Sequence, residues 1–486
     1  MPKRIKKIMV GFPPIESNKG TPLIAHNRLF QWSRIPAFTY PVVPALAASM
    51  LAQKGYAVVF KDAIAERSTV MQWLDYVEAE KPDLILFEVK TPVVKYYWDI
   101  VDSLKSRFKS VHVALAGDHV TALPEEAFAR SMVDFVLTGG DFDFLLCNLV
   151  EHLNSGTALE PGIYHRSGGE IGNTGRYQPT HDINAQSFID RDLTNWKRYA
   201  ADNGSYRRLP GTSIMAARDC SFHACTFCSW TTLYDNFRAR SPEHVVDEIE
   251  MLAQKYHIRA IVDESGCFPT GEWLTAFCRL MMQRKLNRRV ALSATVFPGA
   301  CSFDDFRLMR KAGFHSVRLC IFSANQSTLD RIAKGVNAGV IEQSCRNARR
   351  AGLLPEISVL FGFPWETEDE AMSTLMLARK LMLHGYVHNA AGGIVIPYPG
   401  TALYAECEAN GTLAVREWER YDMRDAVMKS PITGAELRHM VKELYALHFH
   451  PLSLLHKLIT VRDADDIMYH YRTFHAIFFG HLKGFV

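Results

Sequence analysis

Two series of short apolar runs, each run followed by a helix-patterned stretch, constrain this chain more than any other feature. The first holds KKIMVGF (6–12), AVVFKD (57–62), DLILFEV (83–89), HVALAGD (112–118) and DFVLTGG (134–140). Between them lie VVPALAASMLAQKGY (42–56), VMQWLDYVEAE, YYWDIVDSLKSRF and PEEAFARS, with apolar spacing suited to helices. Runs that are apolar throughout suit strands buried on both faces, as in a parallel sheet. Parallel neighbours need crossover connections, which the helical stretches supply. Residues 1–155 are therefore expected to form a doubly wound α/β sheet, with ligand-binding loops at the strand C-termini. Residues 156–210, rich in Gly, Asn, Thr and Arg, read as a linker. The second series holds TSIMAAR (212–218), AIVDES (260–265), VALSATV (290–296), SVRLCIF (316–322), EISVLFGF (356–363) and AGGIVIPY (391–398). Six βα units predict a partial (β/α)6 barrel over 211–404, with chemistry at the strand C-terminal ends. Residues 405–486 read as mostly helical.

Composition narrows the function classes. The net charge of +3 and the lack of a long basic run give nucleic-acid binding no support. The start, MPKRIKKIMVGFPP, has a short apolar run closed by two prolines, which suits a first strand and not a signal peptide. No apolar span is long enough to cross a bilayer. The expected location is the cytoplasm, where thiols stay reduced. A cysteine cluster there points to metal binding or catalysis.

One such cluster exists. AARDCSFHACTFCSW (216–230) spaces Cys220, Cys225 and Cys228 as C-x4-C-x2-C, just after the first strand of the second series. Three thiolates can hold three irons of a 4Fe–4S cluster and leave the fourth iron open. A zinc site completed by His223 is a second reading. Three unrelated buried thiols are a third.

The loop resembles that of the radical S-adenosylmethionine (SAM) enzymes, whose usual form is CxxxCxΦC with Φ aromatic. Cys225-Thr226-Phe227-Cys228 matches its second half. The first gap is one residue longer, with Ser221 where a cysteine is expected; a loop absorbs one residue at little entropic cost. The resemblance implies Cys220, Cys225 and Cys228 as cluster ligands. IVDESGCF (261–268), LFGFPWETEDE (360–370) and PYPGTALY (397–404) resemble later elements of the family core. They imply SAM contacts at Phe227, Asp263, Glu264, Gly362, Phe363, Pro364 and Pro397, with Ser293 on the third strand. On the fourth strand Phe322 stands where relatives often carry an acid, so Ser323 or Gln326 is expected to serve instead. No catalytic protein nucleophile is implied.

Residues 1–155 resemble the Rossmann-like cobalamin-binding domain of one branch of that family. The matching segments are YPVVPALAASMLAQKGY, KPDLILFEVKTP, AGDHVTALPEEAF and VDFVLTGGD, with GGDF where relatives have GEGE. The implied cobalamin contacts are Pro13, Thr91, Pro92, Gly117, His119, Thr121, Gly139 and Gly140. The Asp-x-His-x-x-Gly motif of another cobalamin fold is absent from the sequence, so cobalt is expected to have no histidine ligand from the protein. The resemblance implies a cytoplasmic, anaerobic methyltransferase using a 4Fe–4S cluster, SAM and cobalamin to methylate an unactivated carbon of a small-molecule or natural-product substrate. Flavodoxin or ferredoxin is the implied electron donor. A cobalamin-dependent cyclase or oxidoreductase is the same-architecture alternative, and a metal-stabilised binding protein is the non-catalytic one. The C-terminal region is expected to cap the barrel mouth.

Overall fold

A computed structural model describes residues 4–24, 30–167, 169–201 and 205–482. The first sheet is built from β1 (Lys7–Phe12), β2 (Ala57–Asp62), β3 (Leu84–Glu88), β4 (His112–Ala116), β5 (Phe135–Leu137), β6 (Ile163–Ser167) and β7 (Glu170–Asn173), in the order β2-β1-β3-β4-β5-β6-β7. The first five strands are parallel and the last two are antiparallel. Alternation along β1 divides the core: Ile8 and Val10 face one layer and Met9 the other, which Phe12 joins at the strand end. Helices α1 (Val42–Gln53) and α5 (Phe142–Ser155) cover the first face. Helices α2 (Val70–Glu80), α3 (Val94–Arg107) and α4 (Pro124–Arg130) cover the second. The sheet is thus doubly wound, as its apolar runs predict.

The expected linker differs from the structure. Residues 163–173 add β6 and β7 to the sheet edge, because Thr174 and Gly162 complete the ladder beside β5. The passage that follows is a packed strap. Tyr199 donates to Asp62 Oδ2 at 2.7 Å, and Arg191 donates to Thr212 Oγ1 at 2.7 Å, so the strap touches both halves of the molecule.

The second sheet holds β8 (Gly211–Ile214), β9 (Ala260–Asp263), β10 (Ala291–Val296), β11 (Phe314–Phe322), β12 (Leu354–Phe361) and β13 (Asn389–Ile394), parallel and in sequence order. Helices α6 (Pro242–Lys255), α7 (Glu272–Gln283), α8 (Phe303–Lys311), α9 (Ala338–Arg350) and α10 (Glu368–Leu383) separate the strands. Along β11, Val317, Leu319 and Ile321 are fully buried, while Arg318, Cys320 and Phe322 face the barrel interior. The predicted first strand ends early: Ala217–Arg218 leaves the sheet and pairs with Arg238–Ala239.

β8 and β13 do not pair, so six strands leave a seam. After α11 (Ala402–Ala409), α12 (Gly434–Ala446) and α13 (Pro451–Leu458), helix α14 (Ala464–His475) fills it. Arg207 beside β8 holds Asp466 at 2.5 Å, and Arg472 donates to Tyr206 O at 2.9 Å. On the far side the Tyr469 ring packs against His315 and His388. A π-helical turn, Ala476–His481, continues α14. The C-terminal region therefore closes the side of the barrel as well as flanking its mouth, and residues 410–433 of it lack α-helix.

Candidate functional site

The cysteine loop is held from several directions. Asp219 and His223 both adopt positive φ, 74° and 43°, and these two bends absorb the longer first gap. Asp219 Oδ1 accepts from Cys220 N at 2.6 Å, and Asp219 Oδ2 lies 2.5 Å from His223 Nδ1. Thr226 bonds through its backbone to Ile332 and Leu403. Gly266, at the end of β9, permits close approach, since a Cβ there would sit 2.7 Å from both Asp219 O and Cys220 N.

Cys220, Cys225 and Cys228 line one cavity of about 320 Å³ at the barrel mouth, a size usual for small-molecule sites. Cys267 and Cys320 line it too, and Cys267 Sγ lies 3.3 Å from Cys220 Sγ. The hydrogen bond with Cys267 draws Cys220 down to about 5, whereas burial pushes Cys225 up to about 11 and also raises Cys228. Soft sulfur donors on one wall suit an iron–sulfur cluster. His223 is turned to Asp219, so it does not complete a zinc set, and no group of three potential ligands is close enough to hold one ion among the described residues.

Phe227 packs edge-on against Phe322 and Phe363, with centroids 4.9 and 5.8 Å away. Phe322, where an acid was expected, also supports a cation. Lys334 Nζ lies 4.5 Å from its ring centroid and 4.7 Å from that of Phe297. Lys334 is only 4% exposed and lines the cavity, with no carboxylate within ion-pair distance among the described residues. A buried ammonium without a counter-charge is costly, so this position is made for an anion. The sequence reading missed Lys334; its signal was a lysine twelve residues beyond Phe322, visible only once α9 and the loop before it fold over the mouth.

Of the other residues expected to meet SAM, the cavity takes only Phe227. Asp263 turns back to accept from Ala216 N at 2.8 Å and Ser265 N at 3.1 Å. Glu264 is buried, with Ser213 Oγ at 3.5 Å from its Oε1. Ser293 bonds to Ser316, Ser323 to Glu366, and Gln326 to Asp330. Gly362, Phe363 and Pro364 stand behind the wall; Gly362 is backed by Leu437. At Pro397 the two neighbours, Ile396 and Tyr398, face the cavity instead. Ser293 shares the face of β10 that Thr295 presents to the cavity but lies two residues nearer the strand start, bonded to Ser316, and Asp263 is taken up by backbone donors.

The strand ends of the first sheet face this mouth. His119 is buried, with Nδ1 3.2 Å from Thr91 Oγ1, Nε2 3.3 Å from Glu126 Oε2, and the Trp418 ring against it. Both ring nitrogens are engaged within the protein. Pro92 lies in the helical turn Thr91–Val93, and Pro13 is buried after β1. Thr121 Oγ1 donates to Gly117 O and accepts from Gly139 N at 3.0 Å, knitting two loops together. Gly139 and Gly140 abut the rings of Tyr177 and Tyr234. Thr121, Thr138 and Gly139 share a second cavity, about 400 Å³, with Thr231, Thr232 and Gly400 of the barrel half. On it, Thr232 Oγ1 and Tyr177 OH are buried without a hydrogen-bond partner.

A buried ion network joins this face to the cysteine loop. Arg218, two residues before Cys220, donates to Gly140 O, Asp141 and Asp143 at 2.6–3.0 Å. Arg238 also pairs with Asp141, at 2.7 Å. Burial alone would raise Asp141, but Arg218 and Arg238 outweigh it and hold it low. At Asp143 burial wins over Arg218, and the carboxyl is raised.

Residues 215–378 match the sequence model of the Radical SAM superfamily. An uncharacterised methyltransferase of Pyrococcus horikoshii is 24% identical over 91% of this chain and 92% of its own. The anaerobic magnesium-protoporphyrin IX monomethyl ester cyclase of Cereibacter sphaeroides is 25% identical over 79% of this chain and 64% of its own. Among solved structures, the radical SAM methyltransferase TsrM of Kitasatospora setae, with cobalamin and a [4Fe-4S] cluster bound, superposes with a TM-score of 0.68 over 98% of both chains at 15% identity. The cobalamin-dependent SAM radical enzyme OxsB gives a TM-score of 0.70 over 98% of this chain and 72% of its own, at 13% identity. Residues 215–378 are a radical SAM domain, and the chain shares the fold of TsrM and OxsB.

Proposed function

We propose that the protein is a cobalamin-dependent radical SAM methyltransferase that cleaves SAM reductively and methylates an unactivated carbon of a small molecule. The observation that carries this reading is the single cavity lined by three cysteines of a radical SAM domain, beside a turn whose Leu233 O accepts from Gly140 N at a strand end of a doubly wound sheet. The likeness in fold to TsrM and OxsB over nearly the whole chain supports it, as does the methyltransferase relative. When bound, the cluster supplies the electron for SAM cleavage and cobalamin supplies the methyl group.

The chain's own residues bind, orient and exclude water. Cys220, Cys225 and Cys228 would hold the cluster, losing their protons as they do so. Lys334 would receive the SAM carboxylate, and Phe227 would pack beside the adenine. The polar cavity at Thr121, Thr138, Gly139 and Thr232 suits a cofactor tail, since Thr232 Oγ1 and Tyr177 OH lack partners there. With both nitrogens of His119 engaged, the domain, Rossmann-like in this reading, would leave cobalt without a histidine ligand. A cytoplasmic flavodoxin or ferredoxin would supply the electron.

The cyclase relative favours a second reading, ring formation without methyl transfer. Anaerobic reconstitution with iron, sulfide and cobalamin, followed by SAM and a strong reductant, tests both. Deoxyadenosine release is expected in either case, and its absence from a fully loaded protein would overturn both. A product heavier by one methylene unit supports methyl transfer; loss of hydrogens supports the cyclase.

A further inference from the structure

Exposed apolar side chains are concentrated at one place. Among the described residues, ten of the fifteen large exposed hydrophobics fall within residues 452–479. Leu455, Leu458 and Ile459 stand out from α13 and its end, at 50%, 68% and 66% exposure. On α14, Ile467, Met468, Tyr471 and Phe474 share one outward stripe, at i, i+1, i+4 and i+7. The opposite side of the same helix carries buried Tyr469 and meets the catalytic cavity at Thr473. Contiguous apolar surface of this kind marks an interaction site.

Charge identifies what it meets. The acids beside the stripe are already neutralised: Asp463 by Arg208 at 3.4 Å, Asp465 by Arg259 at 2.5 Å, and Asp466 by Arg207 at 2.5 Å. Arg310 and Arg349, in the last turns of α8 and α9, and Arg462, before α14, have no carboxylate within ion-pair distance among the described residues. Burial, then the charge of Arg462, holds both Arg310 and Arg349 below the usual guanidinium range, so the three arginines crowd one region. Two copies of the chain meeting through this face would bring like charges together, which disfavours a symmetric dimer. An anionic bilayer satisfies both demands at once, taking apolar side chains below its headgroups and guanidinium groups at their level. No helix among the described residues is long and apolar enough to span a membrane, so contact would be at the surface.

We propose that the face formed by α13, the outer stripe of α14 and Arg310, Arg349 and Arg462 docks on an anionic lipid bilayer. The inference stands independently of the reaction. Flotation of the full chain under nitrogen, with vesicles of phosphatidylcholine alone or mixed with phosphatidylglycerol, tests it. The chain is expected to float with the mixed vesicles at low salt, to be released at high salt, and to bind far less to phosphatidylcholine alone. Leu455→Glu with Leu458→Glu is expected to lower partitioning more than about tenfold, and Arg462→Gln about fivefold. All three side chains are exposed, so the fold and the iron loading should persist. Absence of binding to the mixed vesicles at low salt, or wild-type binding by the variants, would overturn the proposal. So would self-association without vesicle binding that the leucine substitutions abolish, which would assign the face to a second copy.

Discussion

Arg218→Met removes the cation shared by the first sheet and the cysteine loop while keeping much of its volume. Asp141 retains Arg238 at 2.7 Å and His181 at 3.2 Å, so it stays paired. Asp143 retains Gln186, at 2.5 Å, and the backbone of Phe144, both neutral, and becomes a buried carboxylate without a counter-charge. Breaking a buried pair from one side costs about 3–5 kcal/mol. Asp143 can escape part of that cost by taking a proton. Its carboxyl is already raised by burial, and losing Arg218 raises it further. A carboxyl raised in the folded state contributes most at low pH and loses that contribution as pH rises through its folded value. The deficit should therefore be largest near pH 8 and shrink toward pH 5.5. Urea unfolding under nitrogen at both pH values measures it, and iron content after reconstitution is the second readout, expected to fall because Cys220 is two residues away. Arg218→Met with Asp143→Leu removes the stranded charge and should recover at least half of the lost stability. A loss under about 1 kcal/mol, a deficit independent of pH, or a double variant no better than the single one would refute the reasoning.

Gly266→Ala places a methyl 2.7 Å from Asp219 O and Cys220 N, atoms of backbone that cannot swing aside, so both urea stability and iron loading should fall. Lys334→Met should weaken SAM binding about 10–100-fold, the worth of one charge-assisted hydrogen bond, with iron content unchanged and Lys334→Arg partly restoring affinity; equilibrium dialysis under nitrogen reads both. Burial, with Arg207 and Arg310 nearby, pushes His315 down to about 3 from 6.5. Below pH 6.5 the unfolded chain takes this proton before the folded one, so stability is lost as pH falls from 6.5 toward 3. His315→Asn should flatten that slope in unfolding curves between pH 7 and 5.

Strands were legible wherever burial on both faces left an uninterrupted apolar run: β1 through β5 and β9 through β13 fall inside or beside the expected segments. The extension of the first sheet by Ile163–Ser167 and Glu170–Asn173 was not, because these edge strands are half exposed and carry polar residues that mimic a loop. The gathering of Cys220, Cys225, Cys228 and Phe227 on one cavity was legible because these residues lie close together in sequence. Asp263 and Ser293 were expected at the site, but Asp263 is committed to Ala216 N, and Ser293 lies two residues short of the inward Thr295, bonded to Ser316. Lys334 was invisible for the converse reason. Its unpaired burial arises from rings contributed by β11 and the loop after β10, and no local pattern announces it.

The departure at Gly139-Gly140-Asp141-Phe142 acquires a physical meaning from Arg218. The sequence has GGDF where the resembling family has GEGE. In the fold, Asp141 and Asp143 instead point across to the barrel, where Arg218 and Arg238 receive them. The glycines keep their own task, admitting the rings of Tyr177 and Tyr234 against the backbone. A buried network adds little stability compared with apolar packing, yet it fixes geometry, since each carboxylate has one arrangement that satisfies its partners. The geometry fixed here is the position of the cysteine loop relative to the strand ends that face it. A reaction that passes a group between two cofactors depends on that separation. Asp141, in the segment that departs from GEGE, and its neighbour Asp143 thus hold the cysteine loop in register with the strand ends of the first sheet.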